Sequence, residues 1–389
     1  MFDSVVISGG ENPADWADTF LVDLQKGFSE IGLEAVHLRQ KDKTHHLLGT
    51  VGRELYARGK SFFLFDINAK TQILTRPGTG PLPRFSLMVD HPASHAHVAA
   101  FDGRNLLGVI DRSHLGGVSF SPARRVFVPH GGPLNAAEPG GGERPVDVVF
   151  SGNIGAETDR PPDALIGGSP EVGAIAAAAV ARSLDGGTES SRALEQALAD
   201  KGFGAGALGA DGYAMLLGFV SGYSQSVMRE RVLNRLRGLR VCVVGSVCDR
   251  LARQLPEGFE IVKPAEFTDV RTIYAKSKIC LNISHKFTDG SHERIWYGMA
   301  SGCAVLTNST PYLREYFTDD QSILYYQGCD LDLEKICSVI RSGRTGEIAR
   351  AAWPVYRANH TWVQRAQIIA ETMNQAWPGA RHALGTIFS

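Results

Sequence analysis

The chain has no cysteine in its first 240 residues, and its six cysteines (Cys242, Cys248, Cys280, Cys303, Cys329, Cys337) form no CxxC pair. A zinc site needs tighter spacing with histidines, so the thiols read as reduced core residues of an intracellular protein. No stretch reaches the ~18 apolar residues of a membrane span. Residues 172–181 come nearest and are mostly alanine. The start, MFDSVVISGG, lacks a basic segment followed by a long apolar one, so no secretory signal is expected and a cytoplasmic location follows. There is no block of like charge, and the formal net charge of −1 argues against nucleic acid, which is held through many Lys and Arg contacts. Neither Gly9-Gly10 nor the later turns in VVFSGN and VCVVGS supply a GxGxxG with an acidic residue ~20 positions on, which disfavours a nicotinamide-dependent oxidoreductase.

What is present is alternation. Residues 4–8 (SVVIS) form an apolar run, 16–31 carry apolar residues at helical spacing (Phe20, Leu24, Phe28, Ile31), and 35–38 resume as a strand. A helix around 47–58 precedes a strand at 61–66, and further strands are expected at 85–89, 106–110 and 126–128. Residues 131–143 (GGPLNAAEPGGGE) are rich in Gly and Pro and nearly free of large apolar side chains, as a linker would be. A second alternation begins at 146–150 (VDVVF) and resumes at 241–244, 260–262, 278–284, 304–307 and 322–326, with a mainly helical, alanine-rich insert at 160–240. Helices are expected at 334–340, 346–359 and 362–377. Alternation of this kind predicts two Rossmann-like, doubly wound α/β domains. Their expected bounds are 1–133, a linker 134–145, and 146–359, with 360–389 a terminal helix packing back on the first domain.

The stretch with most chemistry is FTDGSHERIWYGMASGCAVLTN, residues 287–308. It follows a strand, turns at Gly290, and enters a helix that Ser291 can cap and that runs to about Ser301, before Gly302 ends it. Such a loop lies beyond the carboxyl end of a strand, where open α/β sheets bind ligands. The amides of Ser291, His292 and Glu293 would be donors at the positive end of a helix dipole, a place for phosphate. Gly290 allows close approach, Ser291 and His292 add side-chain donors, and Arg294 could clamp a pyrophosphate. The same residues also serve an ordinary helix start: cap, dipole partner and surface ion pair.

The run 267–326 resembles the donor-binding half of GT-B glycosyltransferases, most nearly the CgeB-like branch of the "glycosyl transferases group 1" type. His360-Thr361-Trp362 with Arg365 is similar to the HTW…R segment that closes that domain. The resemblance spans about residues 241–365. It implies two domains facing each other across a cleft, a bacterial-type enzyme, and a nucleoside-diphosphate sugar held mainly by the second domain. It implies transfer to an acceptor glycan, protein or small molecule, with retained anomeric configuration and without a metal or other cofactor. The family's acidic pair maps onto Asp289 and Tyr297, the latter a departure at the ribose position, with Glu293 as the candidate to compensate. Lys263 and Pro264 correspond to the segment edging the base. Ser151-Gly152-Asn153 matches the glycine turn of the donor domain, with Arg160 and Lys286 as substitutes for the basic residues expected after it.

In the first domain, Gly9 and Gly10 end a strand where a ligand can approach, and His91, in VDHP, ends another and could act in proton transfer. His95 and His97 follow, as do Asp111, Arg112 and His114 after the next strand and His130 at the exit to the linker; H-x3-H-x-H is not a ligand pattern to lean on. The catalytic candidates are thus His91, Asp289 and Glu293. Besides a sugar transferase, a catalytically degenerate nucleotide- or glycan-binding protein of the same fold, or a related reaction such as sugar epimerisation, fits the same residues.

Overall fold

The computed structural model describes all residues except 10–14, 39–43, 71–81, 101–104, 117–123, 137, 141, 156–159, 167–168, 186, 264–266, 285 and 379–389. The chain divides into two units, Met1–Leu134 with Asn359–Ser389, and Asn135–Ala358.

The first unit holds a parallel six-stranded sheet: β1 (Ser4–Ser8), β2 (Glu34–Leu38), β3 (Phe62–Ile67), β4 (Arg84–Met88), β5 (Leu106–Val109) and β6 (Arg124–Phe127), in the order β2-β1-β3-β4-β5-β6. β1 and β3 are apolar runs buried on both faces, as central parallel strands must be. The helix Asp15–Glu30 packs on the terminal helix Trp362–Ala376 so closely that a Cβ on Gly27 would lie 2.6 Å from Trp362 O. Thr361 and Gln364 form a capping box at the start of that terminal helix, and Arg365 Nε donates to His130 O at 3.0 Å.

The second unit holds β7 (Val146–Ser151), β8 (Val241–Val244), β9 (Phe259–Val262), β10 (Ser277–Asn282), β11 (Ala304–Asn308) and β12 (Leu324–Tyr326), all parallel, ordered β12-β11-β10-β7-β8-β9. The 160–240 insert is helical at Pro162–Leu165, Pro170–Asp185, Ser190–Ala199 and Gly209–Asn234. Its last helix puts Val232 and Leu233 into one core with Val148, Val243, Ile279 and Leu306 of the strands. Among the described residues no helix is long and apolar enough to cross a membrane.

Candidate functional site

In the second sheet the winding starts at β7, runs outward through β8 and β9, then returns to β10 on the other side of β7. The β7–β10 junction is therefore the topological switch point, where a doubly wound sheet opens a crevice beyond its strand ends. Ser151 and Asn282 end these two strands.

Arg294, in the helix Glu293–Ala300, ties them together. Its Nε donates to Ser151 Oγ (3.1 Å), its Nη1 to Asn282 Oδ1 (2.8 Å), and its guanidinium lies 5.1 Å from the Phe150 ring centroid. Asn282 donates in turn to Thr307 Oγ1 (2.9 Å), and its carbonyl accepts the Tyr326 hydroxyl (2.9 Å). Ser151 Oγ also pairs with the Tyr274 phenol, whose complete burial pushes its pKa well above the usual tyrosine value. Four strands thus hold one guanidinium.

A second guanidinium sits beside it. Arg229, on the helix Gly209–Asn234, donates through Nη1 to Asn153 O (2.5 Å) and lies 5.5 Å from the same Phe150 ring. Its Nε is buried with no hydrogen-bond partner among the described residues. Burial, and then the charge of Arg294, pushes its pKa down to about 9, with Glu293 opposing. Both arginines converge on Gly152: a Cβ there would come 3.3 Å from Arg294 Nη2 and 3.5 Å from Arg229 Cζ, and its φ of +152° disfavours any side chain. Neither arginine forms an ion pair among the described residues. Two like charges buried side by side are costly unless an anion joins them.

The loop before the helix differs from expectation in its cap. His292, not Ser291, is the N-cap, its Nδ1 accepting the Arg294 N–H at 3.3 Å. Ser291 is buried and accepts the Trp296 indole N–H at 3.1 Å, so its side chain serves the packing of the helix instead. His292 Nδ1 also lies 2.5 Å from Glu293 Oε2. The cap and this contact share one ring nitrogen, so the Glu293 carboxylate lies against the start of the helix. Gly290 is buried, its carbonyl accepting from Thr310 Oγ1 at 2.9 Å, and Asp289 Oδ1 accepts the Tyr312 N–H at 2.9 Å. The space enclosed between this loop and the ends of β10 and β11 is ≈ 10 Å³, about one water, so the loop is seated on the strands. Tyr297 is fully buried, with Arg271 6.0 Å from its ring centroid. The position expected to meet the ribose is thus occupied by an enclosed phenol.

Of the other expected residues, Asn153 Oδ1 accepts the Ser246 N–H (3.0 Å), Lys263 is exposed after β9, and Lys286 is half-buried ahead of the loop. Arg160 is exposed and donates to Ala164 O at 3.0 Å. In the first unit, Gly9 is buried after β1 with its N–H on Leu38 O (3.3 Å), and Gly10, like Pro264, lies outside the described residues. His91 Nδ1 accepts the Ala93 N–H (3.1 Å), and its ring meets His114 edge-on at 4.4 Å. Burial, and then His91, holds the His114 pKa well below the usual histidine value. Sequence reasoning missed Arg229, Asn282 and Tyr274. The available signal for Arg229 was a charge on the apolar stripe that continues at Val232 and Leu233.

Residues 226–371 match the model of a family described as "Glycosyl transferase-like". No curated protein matches the chain in sequence. Among solved structures, the chain is similar to AviGT4, a glycosyltransferase involved in avilamycin A biosynthesis (14% identity, 97% of this chain and 98% of that one, TM-score 0.51). It is similar also to sucrose-phosphate synthase from Thermosynechococcus elongatus (9% identity, 97% and 99%, TM-score 0.51). A third is T4 phage BGT, solved with UDP and Mn2+ (12% identity, 95% and 99%, TM-score 0.50). At these identities the likeness is one of fold, the two-domain Rossmann-like GT-B architecture. The family match over residues 226–371 supports an enzyme of the glycosyltransferase type.

Proposed function

We propose that the chain transfers a sugar from a nucleoside-diphosphate sugar to an acceptor, and that Arg229 and Arg294 hold the diphosphate. The observation carrying this reading is the pair of buried guanidiniums converging on Gly152 at the switch point, without an ion pair among the described residues. A diphosphate supplies the missing negative charge, and its departure as an anion is what these cations would stabilise. The His292–Glu293 contact and the start of the helix Glu293–Ala300 adjoin Arg294. Two guanidiniums match the two negative charges of the diphosphate in the bound donor, and on that ground the reaction is proposed to need no metal. Retention of configuration by same-face attack, proton transfer by His91, and affiliation to the CgeB-like branch complete the proposal.

The test is release of nucleoside diphosphate from a panel of nucleotide sugars, with and without EDTA. Turnover of one donor that survives EDTA and is lost in Arg294→Lys supports the reading. Turnover only with added divalent ion removes the metal-free part. A second reading, a nucleotide-binding protein without turnover, is favoured by the buried phenol of Tyr297 at the ribose position. Binding of a nucleoside diphosphate with hydrolysis or transfer of no donor would establish it instead.

A further inference from the structure

The opposite end of the second sheet carries a different cavity, of about 280 Å³. Arg144 precedes β7, Lys278 lies at the start of β10, and Gly302 precedes β11, all parallel strands, so this cavity is at their amino ends. Ser151 and Asn282 mark the other ends.

Among the described residues its wall contains Arg144, Lys278 and Arg350 and no carboxylate. Arg144 donates to Ser277 O (2.6 Å) and Ser301 O (2.9 Å), neutral acceptors that fix the guanidinium without cancelling its charge. Lys278 shares Asp147 with Arg240, at 2.7 and 3.4 Å, so one carboxylate answers two cations. Arg350 is exposed and makes no ion pair among the described residues. The wall is completed by Gly343, Thr345 and Gly346 at the start of the helix Arg344–Asn359, where backbone N–H groups add positive potential. A Cβ on Gly343 would meet nothing within 4 Å, and one on Gly346 would lie 3.5 Å from Arg350 Nη1, so backbone and guanidinium border the same space. Ligand pockets begin at roughly 300 Å³, so the volume suits a small ligand and not a dinucleotide.

We propose that this cavity binds a phosphate group, either inorganic phosphate or the monoester of a small molecule, independently of the switch-point site. Calorimetric titration of the full chain with inorganic phosphate at low salt tests it. The expected result is saturable binding, weakened about tenfold in Arg350→Glu, the loss of one charge-assisted contact. Arg253→Glu, the same charge reversal on an exposed residue of another helix, should leave it within about twofold. A parallel titration with glucose 6-phosphate separates the sources. Tighter binding of the ester, lost in Arg350→Glu, marks a phosphorylated small molecule, and equal affinity marks free phosphate. Absence of saturable binding, or equal weakening in both variants, would overturn the proposal.

Discussion

Replacing Arg229 by methionine separates function from stability. Bringing the guanidinium pKa from 12.5 to about 9 amounts to a cost of ~5 kcal/mol for holding its charge in the fold, an upper bound. Methionine is unbranched but two atoms shorter, carries no charge and removes that cost. Against this, the variant loses the hydrogen bond to Asn153 O and the position over Phe150, worth about 2–4 kcal/mol together. The net is a fold more stable by about 1–3 kcal/mol, or a melting temperature raised by roughly 2–9 °C. Nucleoside-diphosphate affinity should move the other way, falling about ten- to a hundredfold with the loss of a charge-assisted contact to phosphate. Calorimetric melting and nucleotide titration on the same preparation read both. A variant that melts several degrees lower while binding nucleotide as the parent does would show Arg229 to be structural, and the reasoning would fail.

Gly152→Ala should cost about 1–3 kcal/mol in denaturant unfolding and reduce nucleotide affinity, because its Cβ enters the space between the two arginines at a backbone angle that disfavours it. Tyr297→Glu, which restores the acidic residue of the resembled family, should destabilise by several kcal/mol and leave donor affinity no better, since the position is fully buried; a tighter-binding variant would contradict the packing described. His360 gives a pH test. Burial, then the charge of Arg365, lowers its pKa from 6.5 to about 2, so the unfolded chain binds its proton first and stability is lost as pH falls below 6.5. Between pH 7.5 and pH 5 the parent should lose ~2 kcal/mol more than His360→Asn; equal losses in urea titrations would refute this.

Most of the fold was legible because parallel strands buried on both faces leave apolar runs. VVIS, VVF, VCVV and AVLT each lie within a strand as expected, and the winding follows from the helices between them. The loop at 287–292 was legible as part of a strand–turn–helix unit, but its cap was not. Serine is the commoner N-cap, and only the position of Trp296 shows why Ser291 is engaged elsewhere. Arg229 was hidden by distance. It reaches Asn153 from a helix 76 positions later, and no spacing rule links a glycine turn to an inserted helix. Burial at Tyr297 was equally out of reach, since the sequence gives a residue's neighbours in the chain and not those that enclose it.

Two buried guanidiniums are proposed to hold a nucleoside diphosphate at the carboxyl ends of β7 and β10. Thermal melting of the parent and Arg294→Lys against a panel of nucleoside diphosphates tests it most directly. At least one nucleotide should raise the parent's melting temperature, by about 2.7 kcal/mol of added stability at a hundredfold excess over Kd, and should lose most of that effect in the variant. No shift with any nucleotide, or an equal shift in both proteins, would contradict it.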